Sequence, residues 1–237
     1  MYEQAITGMS TWIEKGSDTS VSDAKTADVV FKLDCQRLPV DHSAELANSI
    51  CTRVPWLFDL PLAGIHAIHV AGSQNGWSRP ESQSGEWLEL SRRTRLRIRV
   101  PIECTSKLMA ELSNQPIDVA GQHLQILNAN VKTLYAGATL FSRYTVFNDS
   151  DSQQENEDQF LSRVTAVCES IGFTPNKLMC GRTQHIQSSE GSLLTRSVLL
   201  ADVPVQHSLQ LQDAGIGDNQ LLGCGIVIPH KDTSPVN

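Results

Sequence analysis

One histidine in the chain stands where proton transfer beside a phosphate group is chemically possible. His42 follows a predicted strand and lies at the start of a predicted helix. The exposed N–H groups and the dipole of a helix N-terminus attract phosphate and disfavour the imidazolium form. A neutral ring there could accept a proton, and a protonated ring could donate one. Residue type alone favours the alternative of a helix-capping or half-buried histidine with local hydrogen bonds. The next residue, Ser43, offers either a hydroxyl group to the same site or a second helix cap.

A second candidate site is a glycine-rich loop, residues 215–225, which contains two Gly-x-Gly pairs. Its candidate ligand-contacting residues are Gly215, Gly217, Asn219, Gln220, Gly223 and Gly225. A glycine backbone can approach a ligand closely, and successive N–H groups can surround an anion. The loop is not a P-loop, because Cys224 follows where Lys is required, and too little chain follows for a dinucleotide-binding βαβ unit. Anion binding and a purely structural turn supporting the sheet remain equally open.

A run of five arginines forms the third candidate site. They are Arg92, Arg93, Arg95, Arg97 and Arg99, with no acidic residue between them. In a strand, side chains alternate between faces, so the four odd-numbered arginines are predicted to share one face. The planar guanidinium group can give two parallel hydrogen bonds to a phosphate. The alternative is a solvated strand face neutralised by acids such as Glu89.

Two series of elements must position these residues. In the first series, alternating apolar residues predict strands at 29–35, 65–70, 94–100 and 123–127. Helical spacing predicts helices at 41–54 and 106–112, and Asp41 is the predicted N-cap of the first of them. The order is strand, helix, strand, strand, helix and strand. The second repeats that order with strands at 140–147, 179–186, 193–200 and 222–228, a helix at 155–171 stopped by Gly172, and a short segment after Pro204.

Two successive β-α-β-β-α-β units predict an α+β fold of two tandem ferredoxin-like domains of the RNA-recognition type. The predicted boundaries are an N-terminal extension at residues 1–26, a domain at 27–135 that carries His42, and a domain at 136–230 that ends in the glycine-rich loop. Residues 231–237 are predicted to form a tail. The polar extension is expected to be mobile or to be ordered by a partner.

Composition limits the class of protein. Of the 237 residues, 40% are hydrophobic and 19% are charged, which is typical of a globular protein in water. No apolar run approaches the ~20 residues of a membrane span. The six cysteines are scattered without a Cys-x-x-Cys motif, which favours reduced thiols, a cytoplasmic location and no structural zinc. His66 and His69 are predicted on opposite faces of a strand, so no metal site is expected and no cofactor is predicted.

The formal net charge of −7 is unfavourable for binding nucleic acid, because phosphate contacts require basic residues. The charge is unevenly distributed, however. Residues 148–158 contain five acidic residues and no basic one, whereas residues 92–99 contain only basic charge. Local charge is therefore the better guide.

Four segments in order give the chain a resemblance to a known family. They are residues 33–35 (LDC) with 39–42 (PVDH), residues 92–101 (RRTRLRIRVP), residues 208–212 (SLQLQ) and the glycine-rich loop. The set resembles CRISPR precursor-RNA processing endoribonucleases of the RAMP superfamily, and within them the MYXAN-type branch. Two departures stand out: Ser43 and Ala44 replace a glycine and an aromatic residue, and the glycine-rich loop contains no Lys or Arg.

The resemblance implies a metal-independent endoribonuclease that cuts CRISPR repeat RNA at the hairpin base. Its 2′-hydroxyl attack would leave a 2′,3′-cyclic phosphate, with His42 as general acid or base. The arginine strand would hold the stem, and the product would stay bound in a multi-subunit effector complex, of the interference or transposition-linked kind. The departures keep two alternatives open: a guide-RNA hairpin-binding subunit that no longer cuts, and a scaffold subunit.

Overall fold

The computed structural model describes residues 24–69, 87–148 and 155–230. Most of the predicted N-terminal extension and the predicted tail lie outside these residues. Within them the chain combines four α-helices, three short 3₁₀-helices and antiparallel sheets, so the predicted α+β class is confirmed.

The first half contains a five-stranded antiparallel sheet with two helices. Its elements are β1 (Thr26–Asp34), β2 (Arg37–Pro39), α1 (Ser43–Arg53), β3 (Gly64–Ile65), β4 (Trp87–Glu89), β5 (Arg95–Pro101), α2 (Thr105–Leu112), β6 (Pro116–Val119) and β7 (Gln122–Thr133). The strand order is β3-β5-β1-β7-β6, while β2 and β4 pair separately. Short 3₁₀-helices occupy Pro55–Asp59 and Ile102–Cys104.

The second half contains a four-stranded antiparallel sheet. Its elements are β8 (Leu140–Thr145), α3 (Glu157–Ile171), β9 (Lys177–Ser188), β10 (Gly191–Ala201), α4 (Val205–Ala214), a 3₁₀-helix (Gln220–Leu222) and β11 (Val227–Pro229). The order β11-β8-β10-β9 repeats the order of β7, β1, β5 and β3 in the first sheet. In each half, the first strand is therefore central. β1 lies between β5 and β7, and β8 lies between β10 and β11.

One face of each sheet is buried by helices because apolar residues alternate along the strands. In β1, Val29 and Phe31 have no exposed surface and pack in the same core as Leu46 and Ile50 of α1. Each such buried side chain stabilises the fold by roughly 1.5–3 kcal/mol. Lys32 points the other way in β1 and is exposed. The first sheet thus has one core face, and its opposite face, hereafter the open face, is exposed at Lys32 but covered at Asp28 and Val30.

Local signals predicted some boundaries well and others poorly. Helix α3 begins with a capping box between Asn156 and Gln159 and ends at Gly172, whose φ of 107° is the left-handed cap. The predicted Asp41 cap of α1 is wrong, because His42 is the N-cap and its side chain makes no capping bond. The predicted terminal strand at 222–228 is also too long, since the glycines hold residues 220–225 in turns.

A buried ion pair joins the two halves. Arg99 in β5 lies opposite Asp28 in β1, and its Nε donates to the Asp28 carboxylate at 2.8 Å. Its Nη1 donates to the carbonyls of Gln212 and Val227 in the second half, both at 2.8 Å. Arg99 is only 3% exposed. The predicted RNA-binding role of Arg99 is therefore corrected, since its donors are used inside the protein.

Replacing Arg99 should be far more costly than replacing a surface arginine. Arg99→Ala leaves the Asp28 carboxylate buried without its partner, so we expect the free energy of unfolding to fall by about 3–5 kcal/mol. Arg93→Ala, in an exposed turn, should change it by less than about 0.5 kcal/mol. Urea denaturation followed by circular dichroism measures both, and equal losses would contradict a bridging role for Arg99.

Candidate active site

His42 is buried at the N-terminus of α1, with both ring nitrogens in backbone hydrogen bonds. Its Nδ1 lies 2.9 Å from the Pro39 carbonyl, and its Nε2 lies 3.0 Å from the Ile68 amide nitrogen. Because a carbonyl can only accept and an amide N–H can only donate, the ring is the neutral tautomer with its proton on Nδ1. The ring is 1% exposed. In this state His42 anchors the segment at residues 64–68, hereafter the cover segment.

The cover segment is held from two further sides. The His66 amide donates to the Arg97 carbonyl of β5 at 3.0 Å, which continues the pairing of β3. On the other side lies Gly223, at which a Cβ atom would be 3.0 Å from the Ala67 nitrogen and 3.2 Å from the Ile65 oxygen. Only a glycine lets the loop backbone approach this closely without displacing the segment.

The backbone N–H groups of the glycine-rich loop donate hydrogen bonds to other groups of the protein. The amides of Ile216, Asp218 and Gly225 donate to the carbonyls of Gly225, Val146 and Tyr144 respectively. Gly215, Gly223 and Gly225 are buried. These donors are therefore not gathered around an open anion site, and the geometry favours the structural-turn alternative for these three glycines.

The remaining loop positions are partly accessible. Gly217, Asn219 and Gln220 are half-buried. The Gln220 amide donates to the Gly217 carbonyl at 2.7 Å, and the Asn219 amide donates to Asn148 at 2.7 Å. Both side chains thus make hydrogen bonds within the protein. Only the remaining polar atoms of Asn219 and Gln220 are left for an RNA contact.

Two strands of the second half bring further groups to the N-terminus of α1. The Gln187 amide, near the tip of the β9–β10 hairpin, donates to the Asp41 carboxylate at 3.2 Å. His69 is exposed, and its ring centroid lies 6.1 Å from that of Tyr144 in β8. His42, His69 and the hairpin tip thus meet at the junction of the two halves.

The arginine run is divided among three environments. Arg92 and Arg93 lie in an exposed turn before β5, so Arg93 is not part of the strand row. Arg95 is half-buried and donates to the Arg92 and Thr94 carbonyls at 2.8 and 2.7 Å. Arg97 is half-buried on the open face of the sheet. Arg99 is the buried residue described above.

Sequence reasoning missed basic residues that neighbouring strands add to this face. Lys32 of β1 lies opposite Arg95, and Lys132 of β7 lies opposite Asp28. Both lysines are exposed. We define the basic sheet face as Lys32, Arg95, Arg97 and Lys132. Alternation along β1 places Lys32 on it, but β7 extends beyond the predicted strand, so Lys132 carried no such signal.

The side chain of Ser43, a predicted catalytic residue, is buried, and so is the Cys224 thiol. Ser43 is the first residue of α1 and is 4% exposed. Cys224 lies in a buried cluster with Tyr144 and Ile186. Burial raises the pKa of the Cys224 thiol to about 12, so the thiolate required of a nucleophile is scarce at neutral pH.

The environment of Asp28 and His66 shifts the pKa values of both side chains. Burial by itself would raise the pKa of the Asp28 carboxyl, but His66 and the Arg99 guanidinium hold it well below its usual range. Burial lowers the pKa of the His66 imidazole from its ordinary 6.5, against the attraction of Asp28 3.4 Å away. Asp28 is thus ionised and His66 neutral at neutral pH.

The chain is similar to known proteins over most of its length. The family model described as Cas6, "Cas6 Crispr", matches residues 27–232. The chain belongs to the Cas6 family. A relative, the CRISPR-associated endonuclease Cas6 of Myxococcus xanthus strain DK1622, is 25% identical over 202 residues, which are 85% of this chain and 80% of that protein. The resemblance read from the four sequence segments is confirmed at the level of the Cas6 family.

Solved structures support the fold. A CRISPR-associated protein Cas6 matches with a TM-score of 0.58 at 11% identity, over 87% of this chain and 100% of that one. A RAMP protein described as binding different RNA substrates matches with a TM-score of 0.60 at 14% identity, over 86% and 100%. A Cas6-related protein from Pyrococcus furiosus gives 0.53 at 16% identity, over 85% and 97%. At these identities the likeness concerns the fold alone.

Among the described residues, no helix has the length and apolar character needed to cross a membrane.

The close approach at Gly223 predicts a substitution effect. Gly223→Ala should destabilise the protein by about 1–3 kcal/mol more than Gly121→Ala, because it must displace the cover segment. The comparison is matched, since φ is +85° at Gly223 and +76° at Gly121, where a Cβ would meet nothing within 4 Å. Urea unfolding of the two variants gives the difference. Equal stabilities would mean that the loop and the cover segment do not constrain each other.

Proposed function

We propose that this Cas6-family chain is an endoribonuclease that cuts CRISPR repeat RNA at the base of its hairpin without a metal ion. The ribose 2′-oxygen attacks the adjacent phosphorus and the bond to the 5′-oxygen breaks, which leaves a 2′,3′-cyclic phosphate and a 5′-hydroxyl. The observation that carries the proposal is the position of His42 as the N-cap of α1, in a chain of this family. Imidazole is suited to this proton transfer near neutral pH.

The fold supports a tandem ferredoxin-like arrangement, with a domain at residues 27–135 and another at 136–230. Each half has two helices against a sheet whose four main strands follow one shared order. The long link between β7 and β8 contains the predicted boundary. Two RNA-recognition-type domains would then form the junction at which His42, His69 and the hairpin tip meet.

RNA is proposed to lie across the basic sheet face and the exposed turn with Arg92 and Arg93. Guanidinium groups suit phosphate, and double-stranded RNA is recognised mainly through shape, phosphates and 2′-hydroxyls. A hairpin held in this way can remain bound after the cut. We therefore propose that the protein stays on the mature guide RNA as a subunit of a cytoplasmic effector complex, of the interference or transposition-linked kind.

One observation favours a second function, that of a guide-RNA hairpin-binding or scaffold subunit that does not cut. His42 is 1% exposed and both its ring nitrogens are in backbone hydrogen bonds, so it has the contacts of a structural histidine. In that case the family fold would serve RNA binding and assembly only.

Cleavage in EDTA separates these functions. End-labelled repeat hairpin RNA should be cut once, at the stem base, with a 2′,3′-cyclic phosphate end and no loss of rate in EDTA. His42→Ala should lose about 10²-fold or more in rate, since it removes the ring and releases the cover segment, and should retain hairpin binding. Tight binding without a cut would identify the non-cutting subunit. Loss of all activity in EDTA would refute metal independence.

The basic sheet face predicts a change in salt dependence. If Arg97 contacts a phosphate, Arg97→Ala should weaken hairpin binding and reduce the slope of log K against log salt by roughly 0.7–0.9. Arg53→Ala is a control of equal charge, because Arg53 is tied to Gln115 and Pro116 at the end of α1. Titrations at four salt concentrations measure both slopes. The same slope for the two variants would remove Arg97 from the RNA-binding surface.

A further inference from the structure

The second half contains a cavity that the sites described above do not use. It lies beside the first turn of α3, at one end of the second sheet, and has a volume of about 100 Å³. We call it the α3 cavity. Thr183 of β9 is exposed and lies at its open side. The residues that line it are Thr145, Val146, Phe147, Glu155, Phe160, Thr183, Leu194 and Arg196.

The Glu155 carboxylate lines this cavity with few partners for a buried charge. Its side chain is 9% exposed. Among the described residues its hydrogen-bonding contact is with Arg163, whose Nη1 lies 3.5 Å from Oε1, at the long limit for a hydrogen bond. An ionised carboxylate has about four acceptor sites, and burying it is costly unless they are used. Most of its acceptor capacity therefore remains for a ligand that carries N–H donors.

Arg196 brings donors to the same cavity. Its Nη1 donates to the Glu157 carboxylate at 3.2 Å and to the Gly181 carbonyl at 3.3 Å. A guanidinium group has five N–H donors, so those of Nε and Nη2 are additional to these bonds. The pairing of β10 with both β8 and β9 shifts register between Arg196 and Val198. Bulges of this kind redirect side chains and are common beside functional sites.

The mixture of charges selects the kind of ligand. Arg163 is paired with Glu155, and Arg196 is paired with Glu157, so the two bases are balanced by two acids. The cavity therefore offers no excess positive charge to a phosphate, and the Glu155 carboxylate would repel one. A neutral ligand that has both donors and acceptors matches a carboxylate and a guanidinium in one cavity.

The remaining walls suit a flat ring. Phe147 and Phe160 are buried, and their ring centroids lie 5.9 Å apart. Aromatic side chains and edge-on hydrogen bonds are the means by which proteins recognise unpaired RNA bases. A closed cavity of about 150 Å³ holds benzene. The α3 cavity is smaller but open, so a six-membered pyrimidine ring entering edge first fits it better than a purine.

We propose that the α3 cavity binds one unpaired cytosine of the RNA. This inference rests on the proposed binding of repeat RNA and not on the cleavage step. The 4-amino group of cytosine donates to Glu155, and its N3 and O2 atoms accept from Arg196. In uracil, the carbonyl at position 4 would meet the Glu155 carboxylate and the N3–H would meet the Arg196 donors. Uracil is therefore rejected.

The place of the cavity in the fold suits an unpaired base beside the proposed RNA path. Thr183 belongs to an exposed stretch of β9, residues 182–185, that leads to the hairpin tip. At that tip the Gln187 amide donates to the Asp41 carboxylate, next to the N-terminus of α1. On another wall, the Val146 carbonyl accepts the Asp218 amide of the glycine-rich loop. A nucleotide that flanks the hairpin is thus within the reach of both elements.

RNAs made of a single nucleotide test the base preference without the repeat sequence. Fluorescence anisotropy should show that the unaltered protein binds labelled oligocytidine roughly tenfold or more tightly than oligouridine of the same length. An oligomer of pyrimidin-2-one, which is cytosine without its 4-amino group, should bind as weakly as oligouridine. Equal affinities for oligocytidine and the pyrimidin-2-one oligomer would overturn the inference. This comparison does not depend on the folding of any variant.

A glutamine substitution tests the part played by Glu155. The side-chain amide of Glu155→Gln can present either an oxygen or an NH₂ group, so the ratio of oligocytidine to oligouridine affinity should fall close to one. Glu169→Gln is the matched control, because Glu169 is exposed in the last turn of the same helix. Both variants lose one negative charge, and the control should keep the ratio of the unaltered protein. Circular dichroism checks that both are folded.

The outcomes separate this inference from the proposed function. If the repeat hairpin is bound and cut but oligocytidine is not preferred, the α3 cavity does not bind cytosine and the ribonuclease proposal stands. If the preference persists in folded Glu155→Gln, the base is recognised elsewhere and the inference fails. If the protein binds neither the hairpin nor any oligomer, the proposed function and the inference both fail.

Discussion

The Arg99 guanidinium is the interaction on which the arrangement of the two halves depends. It pairs with Asp28 inside the first sheet and donates to the Gln212 and Val227 carbonyls of the second half. The Asp213 carboxylate complements it by accepting the Thr26 amide at 3.0 Å. All these groups are buried or half-buried. Separating the halves would leave the Arg99–Asp28 pair within the first sheet but would break both hydrogen bonds from Arg99 to the second half. The junction is therefore fixed by electrostatics as well as by packing.

A fixed junction gives the glycine-rich loop its main role. With the second half held in place, the backbone at Gly223 lies directly against Ile65 and Ala67. The cover segment is then confined between this loop, the Arg97 carbonyl and the His42 ring. Each contact limits where His69 can lie.

Local charge, and not the net charge of −7, is what makes RNA binding physically reasonable for this chain. The open face of the first sheet gathers Lys32, Arg95, Arg97 and Lys132 from three neighbouring strands. Acidic groups near the second half's first helix are partly neutralised, as Glu157 is by Arg196 at 3.2 Å. Strand pairing thus concentrates positive charge that is dispersed along the sequence. Such a face attracts phosphate at short range, where screening is weakest.

The sequence by itself determined the family, the α+β class and most helices and strands, because motifs, caps and apolar periodicity are local properties. Gly172 ends α3 as its position predicts, and alternation along β5 correctly separates Leu96 and Ile98 from the arginines. Only the tertiary structure decided which arginines are accessible and what the His42 ring contacts. Arg99 and Arg97 have the same residue type and the same strand face, yet the second half covers one and not the other. The partners of His42 lie 3 and 26 residues away, and no local pattern encodes a bond to Ile68.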